Sequence, residues 1–108
     1  MANVFKLKTK ANIGVTTVGI YTVPSSTMTT VIGLTLANTY GGNLNVTVGI
    51  SRTNADSVNV IKNVPIPQGS TLEVMQGNKI IMEANDSITV VSDITSSLDA
   101  SLSILEMT

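Results

Sequence analysis

The chain has 108 residues, 43% hydrophobic, 12% charged and 3% aromatic, with a formal net charge of -1, which fits one domain. It has no cysteine, histidine or tryptophan. That excludes a disulfide scaffold, a Cys-ligated metal and histidine acid–base catalysis. The six basic residues are too sparse for nucleic acid to be the main partner. Thr, Val, Ile and Ser fill 50 of the positions, and three of these types favour strands. Few charges and many β-branched side chains are the reverse of a disordered composition.

In chain order, Lys6, Lys8 and Lys10 alternate with Leu7 and Thr9, so an extended strand points all three lysines the same way. They are either a hook for an acidic neighbour or the lysine protection of a solvated edge strand. No apolar run of the signal-peptide type is expected, because Gly14, Thr16, Thr17 and Gly19 interrupt it. No stretch reaches the roughly 20 apolar residues of a membrane helix, so no membrane is expected as a partner.

Val18, Ile20 and Thr22 face opposite to Thr17, Gly19 and Tyr21, and Pro24-Ser25-Ser26 closes that strand. Ile32, Leu34 and Leu36 alternate with Gly33, Thr35 and Ala37. Tyr40-Gly41-Gly42-Asn43 permits a tight hairpin into Leu44, Val46, Val48 and Ile50. Asn54-Ala55-Asp56 is a turn before a strand over Val58 to Lys62. Pro65-Ile66-Pro67-Gln68-Gly69 cannot lie in a central strand, since proline lacks the ladder donor. Shorter strands are predicted at Leu72 to Met75, Lys79 to Glu83 and Ile88 to Val91. Gln76-Gly77-Asn78 and Ala84-Asn85-Asp86 separate them as turns. Leu98, Ala100, Leu102 and Ile104 form the last core-facing set.

This spacing predicts an all-β, antiparallel β-sandwich of about eight short strands, jelly-roll or immunoglobulin-like. Residues 1–12 form an extended N-terminal arm or edge strand, and residues 13–108 a single sandwich domain. With one Phe and two Tyr the core must be aliphatic. Several strands are apolar on both faces. Val31 lies beside Ile32, Ile81 between Ile80 and Met82, and Val91 after Val90, while Leu105 and Met107 carry apolar character to the end. Something must cover the second face, which predicts a homo-oligomer or a docked subunit. The candidate subunit interface is Val4, Phe5, Lys6, Leu7, Lys8, Lys10, Val31, Ile81, Val91, Leu105 and Met107.

Conventional acid–base chemistry rests on carboxylates alone: Asp56, Glu73, Glu83, Asp86, Asp93, Asp99 and Glu106. Glu73 and Glu83 could approach one another on paired strands, as a glycosidase would need. No aromatic platform accompanies them, so a solvent-facing role is the simpler reading. Asn54-Ala55-Asp56 and Asn85-Asp86-Ser87 carry oxygen ligands but resemble no calcium loop, and turn formation explains both. Tyr40 is either a sugar-stacking ring or a cover for the end of the sandwich. No catalytic, metal or cofactor site is expected.

Met1 to Lys6, followed by Lys10-Ala11-Asn12-Ile13-Gly14, resembles short virion proteins of tailed bacteriophages. The likeness continues through Ile20-Tyr21-Thr22-Val23-Pro24 and Thr29-Thr30-Val31-Ile32-Gly33-Leu34. Next come Leu36-Ala37-Asn38-Thr39, Val64-Pro65-Ile66-Pro67-Gln68-Gly69-Ser70 and Ser101-Leu102-Ser103-Ile104-Leu105-Glu106. These segments run in order over nearly the whole chain, and none carries chemistry. The resemblance implies a non-enzymatic virion structural protein, assembled in the host cytoplasm onto a particle. Its partners would be the major capsid protein, or neck and tail proteins. A capsid decoration (cement) protein is the first expectation. A neck, collar, tail or baseplate component is the second, and a host-glycan binding module the third.

Overall fold

Alternation of β-branched and small polar residues gives each strand one apolar face, and two sheets bury these faces against one another. The computed structural model describes residues 3–108, so Met1 and Ala2, the start of the expected arm, lie outside the described residues. Nine antiparallel strands are present: β1 (Asn3–Ile13), β2 (Val18–Thr22), β3 (Met28–Asn38), β4 (Leu44–Ser51), β5 (Val58–Ile66), β6 (Thr71–Glu73), β7 (Ile80–Met82), β8 (Ser87–Ser92) and β9 (Leu98–Met107). No helix occurs among the described residues.

A five-stranded sheet has the order β1-β9-β3-β6, with β7 also pairing β3, and a four-stranded sheet has the order β2-β8-β4-β5. Both β6 and β7 pair with β3, so they act as one interrupted strand. Counted that way, the pairs are first with last, second with next-to-last, and so inward. That is a long hairpin rolled over on itself, the jelly-roll topology. Of the two expected sandwich types, the connectivity therefore selects the jelly roll over the immunoglobulin-like one.

The core is aliphatic: Leu34, Leu36, Leu98, Leu102 and Ile104 of the five-stranded sheet, with Leu44, Val46, Val48, Ile88 and Val90 of the four-stranded sheet, are all buried. Three details depart from simple alternation. A bulge in β3 between Val31 and Gly33 inserts Ile32, so Val31 is core and Ile32 is exposed. The two-sided apolarity of that segment is thus an extra residue, not a second buried face. A bulge in β2 between Gly19 and Tyr21 turns Tyr21 inward, although plain alternation sets it opposite Val18 and Ile20. A third bulge in β1, between Lys10 and Ile13, holds Asn12 at φ 57° and aims Ile13 into the core. Asparagine tolerates this left-handed conformation, and its N–H donates to Asp99 Oδ1 at 3.0 Å.

β5 runs further than expected, to Ile66, and takes in Pro65 opposite Asn45. Its place at the edge of the four-stranded sheet permits this, because the missing donor of Pro65 faces no further strand.

Candidate functional site

Antiparallel register sets which side chains share a face, because directly opposed residues point to the same side. On the outer face of the five-stranded sheet, Phe5 opposes Leu105, Leu105 opposes Thr30, and Thr30 opposes Ile81. The row on one side is Asn3–Met107–Met28, and on the other Leu7–Ser103–Gly33. Phe5 is 74% exposed, Leu7 64%, Ile81 62% and Met28 47%, while Leu105 and Met107 are half-buried. The chain's one phenylalanine therefore lies outside the core, on the edge strand of an apolar patch spanning four strands.

The fold brings five of the candidate interface residues together here: Phe5, Leu7, Ile81, Leu105 and Met107. Met28 and Ile32 belong to the same exposed apolar set and were missed in the sequence. A methionine beginning a strand leaves no periodic signal, and Ile32 keeps step with core-facing Leu34 and Leu36 in the sequence until the bulge displaces it. Val31 departs from the set. It is 0% exposed inside the core and has no free surface to offer. Val91 lies on the other sheet, half-buried opposite Thr47, remote from the patch.

Val4, Lys6, Lys8 and Lys10 point to the other side of β1, over the open edge of the sandwich. Lys6 Nζ is 2.8 Å from Glu106 Oε1, and Lys8 Nζ is 5.9 Å from the centre of the Tyr21 ring. Tyr21 donates its hydroxyl proton to Glu106 Oε2 and lies 2.9 Å from Thr29 Oγ1. The acidic neighbour of this lysine row is thus Glu106 of the same chain. Glu106 and Thr29 are directly opposed on β9 and β3, so this cluster ties the edge strand to the interior.

Its protonation follows from those contacts. Lys6 first, and the Tyr21 hydroxyl second, hold the Glu106 carboxyl below its ordinary 4.5, against burial, which acts upward. Tyr21 is pushed up to about 12, by burial first and then by Glu106. A depressed carboxyl contributes stability that is present above about pH 4.5 and lost as pH falls through the folded value. A raised tyrosine contributes stability fully present below pH 10 and lost as pH rises toward about 12. Urea unfolding across pH is therefore expected to show an acid limb that Glu106→Gln flattens. Its alkaline limb, between about pH 10 and 12, is flattened by Tyr21→Phe.

At one end of the sandwich, Arg52 pairs with Glu83 and, through Nε at 3.2 Å, with buried Asp86. Asp86 also accepts the Glu83 N–H at 2.9 Å. Asp86, one of the oxygen-rich turn residues, is thus spent on an internal tie. Next to this group is an open cleft of about 570 Å³, lined partly by Met28, Arg52, Glu83 and Met107. Its Arg52 and Glu83 neutralise one another, which leaves no carboxylate pair facing the cleft. Glu73 instead accepts hydrogen bonds from Leu34 N at 3.2 Å and Thr35 Oγ1 at 2.9 Å. Glu73 pairs with Thr35 while Met82, next to Glu83, pairs with Thr29, so the two glutamates are roughly 20 Å apart along β3. They cannot flank one glycosidic bond. The Tyr40 ring lies over Gly42, where an added Cβ would come within 3.2 Å of it.

Among the described residues no group of three or more acidic side chains could hold a metal ion. No helix of the described residues is long and apolar enough to cross a membrane.

No protein-family model matches the chain, and no curated protein matches it. Solved structures do. One is a chain from Bacillus endospore appendages, described as disulfide-linked pili, with 15% identity and a TM-score of 0.60, covering 98% of this chain and 88% of that one. Another is a chain from the acid-stable capsid of Helicobacter pylori bacteriophage KHP30, with 12% identity and a TM-score of 0.60, covering 99% of this chain and 92% of that one. At these identities the likeness is one of fold: the whole β-sandwich is shared, end to end, with a capsid chain and a pilus chain.

Proposed function

We propose that this chain is a non-enzymatic structural protein of a tailed-bacteriophage virion, docking in many copies on the capsid as a decoration (cement) protein. The observation that carries this reading is the apolar patch. A small jelly roll that builds its core from aliphatic side chains leaves its one phenylalanine, with six further apolar residues, on an outer sheet face. Such a face serves neighbours, not catalysis.

The jelly-roll topology supports the reading, since viral capsid domains use it. The ordered resemblance to phage virion proteins and the fold shared with a phage capsid chain support it too. From Asn3 onward, the expected arm is strand β1. β1 closes on β9, while its outward Phe5 and Leu7 are presented to the next subunit. Many modest contacts of this kind would sum to a large stabilisation of a shell.

Quantitative mass spectrometry of purified virions tests the assignment. On the order of hundreds of copies per particle is the expected result, because a decoration protein follows the icosahedral lattice. About a dozen copies would place the chain at a single-vertex ring such as a neck or collar. Absence from particles would overturn the proposal.

A further inference from the structure

We infer that the outer face of the five-stranded sheet packs against the same face of a second copy of this chain, about a two-fold axis. The inference rests on the assembly role proposed above and names the partner of that surface.

Charge argues for a second copy. None of the ten residues in the three rows, Asn3–Met107–Met28, Phe5–Leu105–Thr30–Ile81 and Leu7–Ser103–Gly33, carries a charge. A two-fold contact sets a patch against itself, so any charge on it would meet its own sign. The apolar rows avoid that penalty, and the one carboxylate beside them, Glu73, stands at the edge strand β6, opposite Thr35 and near Gly33. The free edge of β1 does not avoid it. Lys6, Lys8 and Lys10 all point to one side of the strand, and antiparallel pairing of two β1 edges would bring lysine against lysine. Edge-to-edge pairing is disfavoured, and face-to-face packing remains.

Shape argues the same way. The central row is a ridge of large side chains, and the Leu7 row falls away at Ser103 and Gly33. At the Gly33 end the Glu73 carboxylate covers the backbone, 3.7 Å from where a Cβ would stand, so the low ground is at Ser103. A two-fold rotation can set the ridge of one copy over the small Ser103 of the other, with Glu73 left at the margin, as stacked sheets interdigitate.

The area is also of the right order. Phe5, Leu7, Ile81, Met28 and Ile32 are exposed at 74, 64, 62, 47 and 37%. Scaled to side chains of their size they present on the order of 500 Å². A stable interface takes about 800 Å² from each partner. The patch supplies more than half of that, and Ser101, Thr35 and Glu73 provide a polar rim on one side.

Sedimentation equilibrium of the full chain, between about 1 and 100 µM, tests the contact. The wild type is expected to be dimeric in that range. Phe5→Asp and Ile81→Lys are each expected to weaken association by about tenfold or more, as charges buried within an interface do. Val91→Lys, on the opposite sheet, is expected to leave it unchanged. All three positions are at least partly exposed, so the variants should melt with the wild type by circular dichroism. A wild type that stays monomeric at the top of the range overturns the inference, as does a dimer insensitive to both charge variants. A monomer whose Phe5→Asp variant no longer enters particles also overturns it, and assigns the face to a different capsid protein while leaving the virion role standing. A dimer that is broken by Phe5→Asp but absent from purified particles upholds this contact and removes the virion role.

Discussion

Leu102→Ala is expected to lower the free energy of unfolding by about 2–5 kcal/mol, enough to leave a domain of this size marginal or unfolded at 37 °C. Leu102 is fully buried at the middle of β9, opposed on one side by fully buried Leu34 and on the other by Lys8. Its strand is central in the five-stranded sheet, so the neighbours are held by ladders on both sides and cannot collapse into the space left. The cost is that of lost transfer plus an unfilled cavity. Leu102→Met keeps the volume and is expected to cost less than about 1.5 kcal/mol. Equilibrium urea denaturation of the three proteins checks this. Equal losses for both variants would mean that the site responds to side-chain shape and not to volume.

Asn38→Ala is expected to cost about 2–4 kcal/mol, although it removes only one amide. Asn38 is buried at the end of β3. Its Nδ2 donates to the carbonyls of Gly42 at 2.9 Å, Ile66 at 3.0 Å and Pro67 at 3.2 Å, while Oδ1 accepts the Tyr40 N–H at 2.8 Å. One side chain thus joins the end of β3, the glycine-rich turn into β4 and the exit of β5, which belong to different sheets. Alanine removes these bonds at a largely buried site, which costs more than an exchange of bonds with solvent, although the Pro67 carbonyl keeps the Ser70 N–H. Asn38→Asp keeps the acceptor for Tyr40 but turns a carboxylate toward three carbonyl oxygens. It should destabilise at least as much at neutral pH and partly recover on acidification, as the carboxyl gains a proton. Unfolding of both variants at neutral and acidic pH separates the lost donor from the lost packing.

Most of the strand set was legible because antiparallel sandwiches bury one face, and burial of one face writes period two into the residues. Leu44 to Ser51 and Val18 to Thr22 match their strands end to end. The failures cluster at bulges. Ile32, Ile20 and Asn12 each sit where an extra residue shifts the register, and an inserted residue inverts the expected facing on one side of it. Val31 was assigned to an interface for this reason, and Tyr21 was set opposite to Val18 and Ile20. The buried Tyr21–Glu106–Lys6 cluster could not be read either. Its members are 85 residues apart in the case of Tyr21 and Glu106, and no spacing rule links them.

The sequence alone determined the class: an all-β, aliphatic, cysteine- and histidine-free domain with more apolar residues than one core can hide. These properties follow from composition and local alternation, which are sums over near neighbours. Tertiary structure alone decided which apolar residues are surplus, and where they gather. Phe5, Thr30, Ile81 and Leu105 come from four strands spread over the whole chain, and only the pairing of first strand with last and the register of each ladder put them in one row. Long-range pairing is set by the joint burial of two sheets, a property of the assembled whole that no local stretch of residues contains.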